Sequence, residues 1–230
     1  MKPATLLSIA VSAASVAVLA LPCVAAQDSV LAEDDFSTDQ LASDWTWVRQ
    51  DEAGWRLADG KLAIRTRGQL WGRENSQRNV LLLANPSPLP NAVAAELTVD
   101  AGLAMTHAYE HGGLIWYFDD DHWVTLTQLN HVQHETQKIM LVHESDGRGR
   151  DRASKAVPFQ GEKVELRLER RGAEFTGYFR PPGAEAWQRL GTVELEHSGS
   201  TPTFGVVAGQ GKHDEWHWVE FDDFRVLALP

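Results

Sequence analysis

Beyond residue 30 no window sustains the i, i+3, i+4, i+7 spacing of a long amphipathic helix; short runs in which apolar and polar residues alternate recur instead, broken by Gly, Pro, Asn and Asp. The pattern predicts strands at Trp45 to Arg49, Trp55 to Ala58, Lys61 to Arg65, Val80 to Leu83, Val93 to Asp100, Gly113 to Phe118 and Trp123 to Leu129. Further strands are expected at Lys138 to His143, Val164 to Arg170, Phe175 to Phe179, Leu190 to Leu195, Phe204 to Ala208 and Trp216 to Leu227. Asp59-Gly60 is a strong hairpin signal, because both central residues of a tight type I′ turn need positive φ. Arg171-Gly172 supplies a second tight turn. Gly68 to Arg78, Asn85 to Asn91, Asp146 to Ala156 and Gln210 to Glu215 read as loops. So many short strands at this spacing predict two packed antiparallel sheets, an all-β sandwich. No internal repeat, low-complexity tract or linker marks a boundary, so one domain over 27–230 is expected.

Ahead of this pattern stand Met1-Lys2-Pro3, an apolar run from Leu6 to Leu21, and Pro22-Cys23-Val24-Ala25-Ala26. This charged, apolar, small order is that of a secretory signal peptide over residues 1–26, and the run is too short and too Ala- and Ser-rich for a permanent membrane helix. A secreted or periplasmic protein with no membrane insertion after cleavage is therefore expected. Cleavage after Ala26 leaves 204 residues and removes Cys23, the one cysteine, so no disulfide can form; a core of this size stands without one, as in a bacterial exported protein. Losing Lys2 leaves 20 basic against 32 acidic residues, or −12 net, which argues against a nucleic-acid partner.

Asp34-Asp35-Phe36 near the start, Trp55-Arg56-Leu57-Ala58-Asp59-Gly60-Lys61-Leu62, and Phe221-Asp222-Asp223-Phe224-Arg225-Val226 near the end form a frame that resembles the concanavalin A-like lectin/glucanase superfamily. Gly112-Gly113-Leu114-Ile115-Trp116-Tyr117-Phe118-Asp119-Asp120 resembles a strand of the jelly-roll domain at the C-terminus of some β-xylosidases. The resemblance spans essentially the whole chain after residue 26. It implies a concanavalin A-like jelly roll and a polysaccharide or oligosaccharide as partner. It also implies that Asp35 lies close to Asp222, where the two carboxylates could hold a structural Ca²⁺. Phe36 and Phe224 would then anchor the same segments in the core. Stand-alone relatives often carry Trp-x-Lys and Gly-x-Glu on the strand after the hairpin; here it reads Trp123-Val124-Thr125-Leu126-Thr127-Gln128, so their ligand contacts do not carry over.

The residues that could do chemistry are fewer. The Glu-x-Asp-x-x-Glu of retaining glucanases has only a partial imitation at Glu220-Phe221-Asp222-Asp223-Phe224-Arg225, with Arg225 in the third acidic place. Six of the nine histidines fall in one stretch: His107, His111, His122, His131, His134 and His143. Strand alternation puts Leu114, Trp116 and Phe118 on one face, expected to be the core, and Ile115 and Tyr117 on the other. Across the hairpin Val124 and Leu126 go inward, and Thr125, Thr127 and His131 join the face of Tyr117. An aromatic surface beside a few placed hydrogen-bond groups is what a sugar groove needs. Trp45, Trp47, Trp55 and Trp123 are expected in the core, whereas Trp71 beside Arg73 lies in an irregular stretch at a groove's edge. The expected ligand-binding set is thus Trp71, Arg73, His107, His111, Tyr117, Thr127, His131 and His143. The function expected is glycan binding on the concave sheet face. The rival reading is a saccharide-active hydrolase or lyase with one of these histidines transferring the proton and Arg73 neutralising an anion.

Overall fold

The computed structural model describes residues 27–84, 89–101, 105–131, 136–149, 154–197, 203–212 and 214–230. The expected signal peptide, His134 and Arg150 to Arg152 lie outside these. In chain order the strands are β1 (Ser29–Asp34), β2 (Trp45–Val48), β3 (Trp55–Ala58), β4 (Lys61–Arg65), β5 (Val80–Leu83), β6 (Ala92–Asp100), β7 (His111–Asp119) and β8 (His122–His131). They continue with β9 (Thr136–Ser145), β10 (Arg148–Gly149), β11 (Lys155–Pro158), β12 (Lys163–Arg171), β13 (Glu174–Arg180), β14 (Gln188–Glu194), β15 (Thr203–Gly209) and β16 (Trp218–Ala228).

They form two antiparallel sheets of eight strands, consistent with a jelly-roll sandwich. One runs β14-β13-β12-β6-β16-β4-β3 with β1 also on β16; the other runs β10-β9-β8-β7-β15-β5-β2 with β11 also on β9. At the β3–β4 turn Asp59 has φ 54° and Gly60 φ 73°, the geometry the Asp-Gly pair predicts. A bulge in β16 between Asp222 and Arg225, with Asp223 at φ 51°, lets one half of β16 pair with β4 and the other with β1.

Between the sheets lies the main core, in which Leu62, Leu97, Leu166, Phe175 and Phe221 of the first sheet meet Leu81, Leu114, Trp116, Leu126 and Phe204 of the second. Trp116 is fully buried, 4.2 Å from the Phe204 ring, and burying such a ring stabilises by about 2–3 kcal/mol. Phe36 and Phe224 are buried there too, as expected, although Phe36 sits in a turn at φ 52° rather than on the strand. The second sheet is apolar on its other face as well: Val80, Leu82, Ile115, Trp123, Val142 and Val207 pack beneath Leu70. That double burial is why β5 reads Val-Leu-Leu-Leu without alternation.

Three strands depart from the sequence expectation. The stretch 146–156, expected as a loop, contains β10 and the start of β11, and β1 was not foreseen. All three are short, and each exists because a long neighbour offers an open edge: β9 to β10 and β11, β16 to β1. Propensity carries no trace of such pairing.

Candidate functional site

The outward face of the β7–β8–β9 sheet carries a groove of about 420 Å³. Trp123, Thr125, Thr127, Leu129 and His131 of β8 run along its floor beside Met140 and Val142 of β9, with Leu70, Trp71, Tyr109, His111 and Gln210 around the rim. From Trp123 to His131 the strand advances roughly 26 Å at ~3.3 Å per residue, long enough for several sugar rings in line. Among the described residues no Asp, Glu, Lys or Arg lines it.

One wall is the 68–78 segment. Trp71 sits in a short 3-10 turn, Trp71–Arg73, with its indole 5.9 Å from that of Trp123. Gly149 of β10 makes room for it: a Cβ there would come 2.5 Å from Trp71 Cε2. Beneath the turn the Gly72 N–H donates to Glu144 Oε2 at 2.8 Å. Glu144 is fully covered, and burial pushes its carboxyl pKa above the ordinary value. Asn75 Nδ2 donates to Asp121 Oδ1 at 3.2 Å, tying the same segment to the β7–β8 turn.

The other wall is the segment before β7. Buried Glu110 accepts the N–H groups of Thr106 (3.0 Å) and His107 (3.2 Å) at Oε2, and the Thr66 hydroxyl (2.5 Å) and His217 Nδ1 (2.8 Å) at Oε1. This bracket holds Tyr109 at φ 64°, its ring half-exposed and edge-on to His131 at 5.8 Å. His111 Nδ1 lies 2.8 Å from the Tyr109 carbonyl, so that nitrogen is the donor and Nε2 an acceptor. Burial lowers its pKa and keeps the ring neutral near pH 7.

The structure thus brings Trp71, His111, Thr127 and His131 of the expected set together at one groove, with Thr125. The remaining four stand elsewhere. Tyr117 is on the expected face but packs against the apolar patch, its hydroxyl donating to Asp120 Oδ1 at 2.6 Å, and burial first, then Asp120, drives its pKa far upward. Arg73 points away, its guanidinium donating to the Asp146 carbonyl at 2.9 Å. His107 belongs to the outer bracket, 3.1 Å from Glu215 Oε2. His143 is paired with Val124 and shares its core-side face, because β9 alternates Ile139 and Leu141 inward against Met140 and Val142 outward. Trp123, expected in the core, faces the groove and is buried by the 68–78 segment. Tyr109, Gln210, Met140 and Val142 were missed; a lone Tyr in a polar loop was the one signal, and it named no position in space.

Asp35 and Asp222 stand apart from the groove, where the turn after β1 meets β16. Asp35 Oδ1 accepts the Ser37 N–H at 3.0 Å and Asp222 Oδ1 that of Asp223 at 2.8 Å. The pKa of Asp222 is raised, by burial first and then by the charges of Asp223 and Asp35, while hydrogen bonds from Ser37 lower that of Asp35. Asp222 thus feels the charge of Asp35, its partner in the pair expected to hold a structural Ca²⁺.

The sandwich defines a concanavalin A-like module, with a groove of aromatic, hydroxyl and amide groups on one of its faces. The chain belongs to the family of β-xylosidase C-terminal concanavalin A-like domains, whose model matches residues 33–226. Among solved structures it is similar to the GH43 BlXynB protein of Bacillus licheniformis, with 19% identity and TM-score 0.73 over 86% of this chain and 39% of that one. A xylan β-1,4-xylosidase of Bacillus halodurans gives 19% identity and TM-score 0.68 over 84% and 38%. The CBM2 module of the evolved Dit of Lactobacillus casei BL23 phage J-1 gives 11% identity and TM-score 0.56 over 87% and 96%. The chain therefore spans about two fifths of the length of these xylosidases. A search among curated proteins finds no match.

Proposed function

We propose that this chain, exported after loss of residues 1–26, holds an uncharged oligosaccharide of the xylan type in the β8 groove without cleaving it. One observation carries the reading: the groove combines indole and phenol rings with buried Thr hydroxyls, yet no Asp, Glu, Lys or Arg lines it among the described residues. Sugar rings offer apolar C–H faces to aromatics and hydroxyls to a few placed polar groups. A uronic acid would need a cation, and Arg73 is committed to Asp146. Glycoside hydrolysis of the usual kind needs a flanking carboxyl pair, which the groove lining does not offer. Xylan is preferred over other neutral glycans because the longer structures that share this fold include a protein named as a xylan β-1,4-xylosidase.

The test is calorimetric titration with xylohexaose, mannohexaose and polygalacturonate, run beside reducing-end release on the same polymers. Xylohexaose should bind, polygalacturonate should not, and no ends should be released. Trp71→Ala should weaken binding by about 1–3 kcal/mol, the cost of losing an aromatic anchor, while Tyr117→Phe leaves it unchanged. Release of sugar ends that vanishes in His111→Ala or His131→Ala would replace binding by catalysis.

A further inference from the structure

At the β7–β8 turn, next to the Trp123 end of the groove but outside its lining, Asp119, His122 and His197 converge, and we propose that they form a site for a transition-metal ion of the zinc class. Asp119 and His122 flank the β7–β8 turn of one sheet, whereas His197 follows β14 of the other. One donor atom from each lies within 4.8 Å of the other two. His122 Nδ1 is 2.8 Å from Asp119 Oδ1, and His197 Nε2 is 3.4 Å from Asp119 Oδ2.

These spacings can be compared with a coordination sphere. Bonds of about 2.0–2.1 Å to a tetrahedral zinc put neighbouring ligand atoms about 3.3 Å apart. The His197–Asp119 separation already matches that edge. The His122 Nδ1 contact is a hydrogen bond to the other oxygen, Oδ1; the metal would replace its proton, with the carboxylate turning or binding through both oxygens. The two imidazoles lie 4.0 Å apart, tilted 32°, and the edge of Phe118 meets His197 at 5.1 Å; on a tetrahedral ion the rings would splay by about 1 Å from this stack. Asp119 is oriented by the Asp121 N–H, which donates to Oδ1 at 2.9 Å.

An outer partner is present too. His122 Nε2 is 3.4 Å from Asp146 Oδ1 and 3.3 Å from the Asp146 N–H. With metal on Nδ1 the ring must carry its proton on Nε2, turning that nitrogen into a donor to the Asp146 carboxylate, the common carboxylate–histidine–metal arrangement. Two imidazoles and one carboxylate favour zinc, cobalt, nickel or copper over calcium or magnesium, which prefer all-oxygen sets. Three protein ligands leave a fourth position; Asp119's side chain is 43% exposed, so water can fill it. Bound metal would join the two sheets at a point where no strand pairing does.

The experiment uses tag-free, chelator-treated full chain titrated with Co²⁺ and Zn²⁺ by calorimetry and visible absorption. One Co²⁺ per chain should bind with the intense visible bands of a four-coordinate ion and be displaced by Zn²⁺, and Zn²⁺ should raise the melting temperature. His197→Ala and His197→Gln should each weaken Zn²⁺ binding by more than about 100-fold, and Asp146→Asn by about 10-fold. Should those variants misfold, the unmutated protein decides: long-range ¹H–¹⁵N spectra should show zinc perturbing the rings of His122 and His197 among the nine histidines. Absence of stoichiometric binding, binding retained in a folded His197 variant, or perturbation centred on other rings overturns the proposal.

Discussion

Gly149→Ala places one methyl group against the indole of Trp71, and its effect can be worked out from the contact. The new Cβ would lie 2.5 Å from Cε2, and nearer still to the next two ring atoms, where an ordinary carbon–carbon contact is about 3.5 Å. The ring must retreat by at least about 1 Å, either by rotating out of the groove or by lifting the Trp71–Arg73 turn off Glu144. Either response breaks the packing on Trp123. Overpacking of this kind costs about 1–3 kcal/mol, so a loss near 2 kcal/mol is expected in chemical denaturation. If the indole is the sugar platform, xylohexaose affinity should fall by a similar energy, roughly 30-fold in Kd. A double-mutant cycle isolates the cause. In a Trp71→Ala background the methyl has nothing to strike, and Gly149→Ala should be neutral or slightly stabilising, because glycine is a poor strand residue. Equal destabilisation in both backgrounds, or no change of stability and affinity in either, would refute the placement of Trp71 on Gly149.

Two further outcomes follow from the carboxylates. Glu144 has a folded-state pKa raised above its ordinary 4.5, so between that value and the raised one the native state holds more protons than the unfolded state. Stability from this group is present below pH 4.5 and is lost as pH rises through the window; Glu144→Gln, which still accepts the Gly72 N–H, should flatten that fall and be the more stable protein at pH 7, as urea denaturation across pH 4–8 would show. At the other site, Ca²⁺ should raise the melting temperature of chelator-treated protein, Asp222→Ala should remove the gain and Glu185→Ala should keep it; an unchanged wild type after verified metal removal would dismiss the calcium clasp.

Period-two alternation and turn chemistry were enough to read the strands and the inward and outward faces of β7 and β8, because both are properties of the local backbone. Asp59-Gly60 had to be a turn, and Leu114 and Trp116 had to share a side. What alternation could not decide is which structure each face meets. Sheet β5–β15–β7–β8 is apolar on both sides, so alternation, which sets Trp123 opposite Val124, did not say that the loop carrying Trp71 would bury it. The histidines show the same limit. Their crowding in one stretch was visible, but β9 turns His143 inward, the Glu110 bracket takes His107, and His122 meets His197, which is remote in sequence. The sequence alone therefore determined the sandwich, its two-faced strands and the supply of aromatic and hydroxyl groups. The tertiary structure decided which of them form a groove, because the groove depends on the 68–78 segment crossing one sheet and on Glu110 holding the segment before β7 beside it, and neither contact leaves a periodic mark on the chain.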